Sequence, residues 1–285
     1  MLFLDEKVKE AISFLRENEP KEGYIVKFSG GKDSIVLLDL VKKAGVKYEA
    51  RYNFTCLEPP EVLRFMKKNY PEVKWIKPKK SFWQYLERVG PPTKARRWCC
   101  TKLKHAVSPD EKGRKVLVGI RADESRQRLE RGRIVENKDG KNIVLAPLFY
   151  FTEDEVWYYI EEKGLAVPEL YFEGFSRIAC VVCPFLCGEG KNGSYRKLLL
   201  RHMERWRKFY DRFELGVRRW FESKKNFWYS VGIYDADEVI DRWYRNKKLY
   251  DDEEELREEE NGIEGESNGY EHNNLLIFET ASLMR

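Results

Sequence analysis

The 285-residue sequence predicts an α/β fold: an open, mainly parallel twisted sheet with helices on both faces, followed by a C-terminal helical region. Three observations predict it. Short β-rich runs alternate with helical periodicity over the first 150 residues, the pattern of βαβ units. The helix after the first strand is apolar nearly all round and must be covered on most sides, as on a parallel sheet. Beyond Gly193 the apolar spacing is helical, with no convincing strand.

Residues 5–18 read as an amphipathic helix with Val8, Ala11, Ile12 and Leu15 on one face. Residues 23–28 form a strand that ends in Ser29-Gly30-Gly31-Lys32-Asp33-Ser34; residues 35–44 are helical, and Gly45 stops them. A strand at 47–54, a Pro59-Pro60 turn and a helix at 61–69 follow, then a strand at 73–77 and a helix at 81–88. A short helix at a cysteine pair precedes a fourth strand at 115–120. Residues 135–145 read as a hairpin turning at Asp139-Gly140. Thr152 and Glu155 have capping-box spacing for a helix over 156–162, which Gly164 stops. About three helices are expected up to Tyr250. The organisation expected is a nucleotide-binding domain with a cysteine site over 1–195, a basic helical region over 196–250 and an acidic, flexible tail over 251–285, whose apolar stretch 274–278 would dock on the body or on a second subunit in a homodimer.

Hydrophobic residues at 42% and aromatics at 14% exclude a disordered or collagen-like chain. The net charge of +5 is uneven: from Asp251 on, twelve acids against Arg257 and Arg285 leave −10, so residues 1–250 carry +15 and should attract phosphate-bearing or polyanionic ligands. No apolar run reaches the ~18–20 residues of a membrane span. Charges at Asp5, Glu6 and Lys7 come too early for a secretory signal, so a cytoplasmic location without membrane is expected. In a reducing compartment, clustered cysteines are ligands or catalysts more often than disulfides.

The loop Ser29-Gly30-Gly31-Lys32-Asp33-Ser34 lies between a strand and a helix. Glycines let backbone N–H groups approach a phosphate, the helix N-terminus adds partial positive charge, and Lys32 adds a full cation. It is not a Walker A motif, because Asp33 follows Lys32 and Val26 stands where the first glycine would be. It resembles the pyrophosphate-binding loop of the PP-loop family. That resemblance implies binding of an adenine nucleotide such as ATP, with magnesium as the counter-ion, and roles for Lys32 and Asp33 in the chemistry. Arg121, Arg126 and Arg128 follow the fourth strand, where C-terminal strand ends face a ligand crevice, and are expected to meet phosphate or sulfate oxygens. The plainer reading is surface pairing with Asp123, Glu124 and Glu130.

Cys99-Cys100 and Cys180-Val181-Val182-Cys183 supply four thiols, enough for a [4Fe-4S] cluster or a structural zinc. Adjacent cysteines favour the cluster, because a cubane offers ligand sites at separate corners; a redox disulfide is the remaining alternative. With Trp98 to Lys104, Pro147-Leu148, Asp154 to Trp157 and Leu170 to Cys180, this double pair resembles the iron–sulfur members of the adenylyl-sulfate and phosphoadenylyl-sulfate (PAPS) reductase family over residues 23–185 or so.

Two departures matter. Those reductases usually carry a nucleophilic cysteine in a Cys-Gly-Leu-His segment, and no cysteine of this sequence follows Cys187; their nucleotide loop is usually degenerate, and this one is complete. Both point towards ATP-dependent sulfur transfer, as in the sulfurtransferases of the wider family, with sulfonucleotide reduction as the alternative and a nucleic-acid-binding iron–sulfur sensor third. Cys56, at a strand's C-terminal end, and Cys187, four residues past Cys183, are the candidate nucleophiles or sulfur carriers, against a plainer reading as inert buried thiols. A sulfur- or electron-donor protein is the implied partner.

Arg196 to Lys225 holds eleven Lys and Arg against four acids, interleaved with Trp206, Phe209, Tyr210, Phe213, Trp220 and Phe221. Nucleic acid is one partner such a segment suits. Aromatics at helical spacing are more often core, which is the favoured reading here.

Overall fold

The computed structural model describes residues 2–136, 142–178, 180–190 and 193–250, and the backbone of 270–271. Helix α1 (Leu2–Glu17) leads into β1 (Tyr24–Lys27), α2 (Lys32–Ala44), β2 (Tyr48–Asn53), α3 (Pro60–Asn69), β3 (Lys74–Pro78) and α4 (Phe82–Val89). After a π-helical turn at Cys100–Lys104 come β4 (Arg114–Leu117), α5 (Arg126–Arg131), β5 (Ile134–Glu136), β6 (Asn142–Leu145) and α6 (Glu153–Glu162). Helices α7 (Ser194–Arg205), α8 (Arg207–Ser223), α9 (Lys225–Ser230) and α10 (Ala236–Tyr244) complete the helical region, four where the periodicity suggests three, because a break at Trp206 divides one long apolar stripe.

The strand order is β5-β6-β4-β1-β2-β3, with a two-residue strand β7 (Tyr270–Glu271) antiparallel to Lys77–Pro78 and too short to register as alternation. β6, β4, β1, β2 and β3 are parallel; among the described residues, only β5 and β7 run against their neighbours. The expected hairpin is present as the β5–β6 pair, with its turn at Asp139-Gly140 outside the described residues. What its local pattern does not reveal is that β6 joins the main sheet parallel to β4. The acidic tail and its apolar end also lie outside the described residues, apart from β7. Among the described residues no helix is long and apolar enough to cross a membrane.

Helix α2 buries Ile35, Val36, Leu37, Leu38, Leu40 and Val41, consistent with its nearly continuous apolar sequence, and Gly45 closes it in the left-handed region at φ 69°. Ser81 and Gln84 cap α4 reciprocally, and Thr152 and Glu155 do the same for α6. Chain succession about β1 reverses direction in the sheet: the chain moves outward through β2 and β3, then returns to place β4 on the other side of β1. The loops after β1 and β4 therefore diverge at the topological switch point, where doubly wound sheets bind ligands.

Two compact units divide the chain. The first comprises Met1–Asn53, Pro60–Ile76 and Val107–Ile178; the second comprises Phe54–Pro59, Lys77–Ala106 and the chain from Ala179 on, so the backbone passes between them five times.

Candidate functional site: a phosphate loop and a set of thiols

In the first unit the loop after β1 is closed by its own serines. The Ser34 hydroxyl donates to the Gly31 carbonyl at 2.8 Å and accepts from the Ser29 N–H and hydroxyl, both at 3.2 Å. Gly30 sits at φ 71°, and a Cβ there would stand 2.8 Å from Cγ and Sδ of Met66, so neither backbone conformation nor space admits a side chain. A Cβ on Gly119, just past β4, would lie 3.0 Å from the Asp33 carbonyl and 3.2 Å from the Ser34 nitrogen. Gly119 thus permits its backbone to approach that of the loop, while Gly30 leaves room for the Met66 side chain.

Helix α2 starts at Lys32 with no side-chain cap from Gly31. Its first amide donates instead to the Tyr171 hydroxyl at 3.0 Å. Tyr171 is braced edge-on by Trp157 at 5.0 Å, and burial pushes its phenol up to about 12, keeping it a neutral hydroxyl. The Lys32 ammonium is buried between Asp33 (3.4 Å) and Glu153 (3.3 Å).

The three expected arginines divide. Arg121 is buried and held by Asp33 (Nε to Oδ1, 2.7 Å) and Asp123 (Nη1, 2.6 Å), so it orients Asp33 where a ligand contact was expected. Arg126 is exposed and paired with Glu130 along α5, matching the plainer reading. Arg128 pairs with Glu124 and is partly buried; burial, then the nearby Arg177, depress its basicity. Arg121 adds a like charge beside Arg128, and Asp33 an opposite one. Sequence reasoning did not single out Arg177, Tyr171 or Glu153. Tyr171 and Arg177 lie in the segment 170–177 matched to the family and Glu153 in the capping box of α6, but the contacts of Tyr171 and Glu153 with Lys32 are tertiary.

All six cysteines lie in the second unit, and none is disulfide-bonded. Cys99 and Cys100 share a hydrogen bond that holds the Cys99 thiol protonated and lowers Cys100, helped by Lys104 and Arg97. Cys99 also feels Cys180 and Cys183, and burial pushes Cys180 up to about 12 against the opposing charge of Lys104. Among the described residues no three His, Cys, Asp or Glu side chains converge as ligands of a metal ion. Four mutually coupled soft donors with nearby cations to offset their charge fit an iron–sulfur cluster in chemical kind.

Cys187 is buried, with its Sγ 3.9 Å from the Cys183 carbonyl, and burial raises its thiol. Cys56 is partly exposed and adopts φ 68°, a left-handed conformation unusual for a side chain with Cβ. Glu58 enforces that turn: its carboxylate accepts from the Thr55 N–H at 2.9 Å, the Thr55 hydroxyl at 2.6 Å and the Leu57 N–H at 3.1 Å. The Leu57 carbonyl accepts the Val181 N–H at 2.7 Å, joining the Cys56 turn to the Cys180–Cys183 turn. Trp206, Phe209, Tyr210, Phe213, Trp220 and Phe221 are all buried, so these aromatics are core and offer no stacking platform for bases.

The sequence profile of the phosphoadenosine phosphosulfate reductase domain matches residues 23–185. The chain belongs to that family. An uncharacterised protein of Methanocaldococcus jannaschii is 30% identical over 242 residues, covering 79% of this chain and 50% of the relative. The chain therefore spans about half that relative's length. Adenosine 5'-phosphosulfate reductase of Staphylococcus epidermidis is 30% identical over 170 residues, covering 54% of this chain and 68% of that enzyme. Among solved structures, a phosphate complex of PAPS reductase from Candida auris superposes with a TM-score of 0.43 at 18% identity, over 62% of this chain and 93% of that one.

Proposed function

We propose that this PAPS reductase-family chain reduces a sulfonucleotide, adenylyl sulfate or PAPS, releasing sulfite. The observation that carries the reading is the pairing, in one family-matched segment, of a phosphate loop at a sheet switch point with the double cysteine pair; the 30% identity to adenosine 5'-phosphosulfate reductase supports it. In this reading the loop amides and Lys32 hold the nucleotide phosphates, and Arg128 and Arg177 meet their charge. A thiolate, from Cys56 or from a donor protein, attacks the sulfate sulfur. The S–O bond to the phosphate breaks, and the nucleoside phosphate leaves with its electron pair. A dithiol donor then attacks the S-sulfonated thiol, sulfite departs, and the two electrons gained by sulfur are balanced by one new disulfide. Cys99, Cys100, Cys180 and Cys183 would hold a [4Fe-4S] cluster, whose net negative charge with four thiolates Lys104 and Arg97 would offset.

ATP-dependent sulfur transfer is the second reading, favoured by the complete loop with its Ser29–Ser34 lock. There Lys32 and magnesium would hold ATP's pyrophosphate, Asp33 would face the metal, and Cys187 or Cys56 would carry sulfur. The deciding experiment follows sulfite release from adenylyl sulfate and PAPS with a dithiol reductant, alongside pyrophosphate release from ATP, in anaerobically purified protein whose iron content is measured. Sulfite with no ATP turnover is expected. Pyrophosphate release without sulfite from either sulfonucleotide overturns the first reading for the second.

A further inference from the structure

The family match ends at residue 185, and the helices beyond it reach back to the cysteines. Val181 lies inside the Cys180-Val181-Val182-Cys183 turn. Its N–H is taken by Leu57; its carbonyl accepts the Tyr210 hydroxyl at 2.7 Å and the His202 Nδ1 at 3.3 Å. His202 comes from α7 and Tyr210 from α8, and both are buried. Since a carbonyl only accepts, the imidazole proton facing it belongs on Nδ1. Each ring is braced in turn: His202 edge-on against Trp206 at 4.8 Å, Tyr210 stacked on Tyr244 at 6.4 Å.

Helices α8 and α10 grip the segment that leads to the other pair. The Trp243 indole donates to the Pro92 carbonyl at 2.6 Å. Trp220 fills the space beside Gly90 so closely that a Cβ there would stand 2.3 Å from its ring. The Gly90 carbonyl in turn accepts the indole of Trp98, the neighbour of Cys99, at 3.1 Å.

We infer that Tyr210 and His202 are positioning residues for the Cys180–Cys183 turn, and that the helices after residue 193 are the frame on which both cysteine pairs are aimed. A Cys-x-x-Cys turn with its central peptide unanchored samples many thiol directions. Holding Val181 on both sides, its N–H in the peptide before it and its carbonyl in the central peptide, removes that ordering cost before any ligand or reactant arrives. The inference holds for any chemistry the thiols perform.

The test uses the full-length chain, reduced and stripped of iron and zinc. Tyr210→Phe keeps the ring and deletes the donor. His202→Leu deletes the other donor, whereas His202→Asn keeps an N–H able to reach the same carbonyl. Iodoacetamide labelling of each cysteine is read by peptide mass spectrometry, and amide exchange is followed at Val181 and across residues 24–41. Tyr210→Phe and His202→Leu should each raise labelling of Cys180 and Cys183 and exchange at Val181 by roughly 3–10-fold, the worth of one buried hydrogen bond. Residues 24–41 should not change, and His202→Asn should stay near wild type. Unchanged labelling in both deletions overturns the inference. So does exchange rising equally across 24–41, or His202→Asn labelling as fast as His202→Leu.

Discussion

The Tyr171 hydroxyl accepts the backbone N–H of Lys32 at 3.0 Å, so a side chain 139 residues away caps the first turn of the helix that follows the phosphate loop. That amide is one a bound phosphate would claim, and the phenol must yield it.

Tyr171→Phe should therefore tighten binding of pyrophosphate or an adenine nucleotide by about 3–10-fold, because a capping hydrogen bond worth roughly 1 kcal/mol no longer stabilises the unliganded state. Titration calorimetry on the variant and the parent checks this. Equal or weaker binding would mean that the phenol and the phosphate do not compete.

Gly119→Ala places a methyl 3.0 Å from the Asp33 backbone. Overpacking of this kind costs about 1–3 kcal/mol and should displace the phosphate loop, weakening nucleotide affinity more than tenfold. Gly45→Ala is the control: its φ of 69° makes the substitution mildly destabilising, but nothing lies within 4 Å of the added carbon. Thermal melts should fall for both variants, and nucleotide affinity only for Gly119→Ala.

Acid sensitivity should be traceable to Arg51. It is buried at the centre of β2 and pairs with Asp110 (2.5 Å) and Glu111 (3.3 Å); Glu111 also receives Lys27 at 2.7 Å. The hydrogen bond from Arg51 is the main reason Asp110 sits well below the ordinary carboxylate range. A folded pKa below the unfolded one adds stability that is complete above the unfolded value and is lost as pH falls toward the folded value. Urea midpoints should thus drop between about pH 4 and pH 2. Asp110→Asn should lower the midpoint throughout pH 5 to 7, where the parent holds the full contribution, and flatten the slope below it.

Cysteine reactivity should be graded. Cys187 is buried and its thiol raised, so iodoacetamide at pH 8 should label it at least about tenfold more slowly than the partly exposed Cys56 in native protein. Quantitative labelling, followed by the same measurement in urea, checks that the difference vanishes on unfolding.

Cys56→Gly separates structure from chemistry at one position. Relief of the left-handed conformation at φ 68° is worth about 1 kcal/mol and should keep or raise the melting temperature, although a nucleophile is removed. Loss of sulfite release at unchanged stability would mark Cys56 as the attacking thiol; full activity would assign that role to a donor protein.

Local chemistry made much of the fold legible. The reciprocal cap Thr152–Glu155 and the left-handed Gly45 each need only a few neighbouring residues, and both recur in the structure. The turn from β1 through the glycines into α2 was equally readable, because the three are contiguous. Tyr171 on Lys32, Arg177 near Arg128, and Tyr210 with His202 on Val181 were not readable: each depends on contacts formed only when distant segments pack. The pairing of Arg121 with Asp33 was hidden for the same reason. Three arginines spaced along one loop look alike in sequence, and only the position of Asp33 shows that one of them serves a carboxylate.

The five passages of the backbone between the two units have a genetic consequence. No continuous stretch of coding sequence encodes one unit without pieces of the other, so a phosphate-loop module or a thiol module cannot be excised, duplicated or fused elsewhere intact. The loop after β1 and the cysteines are bound into a single heritable piece, and variation must reach each of them by substitution.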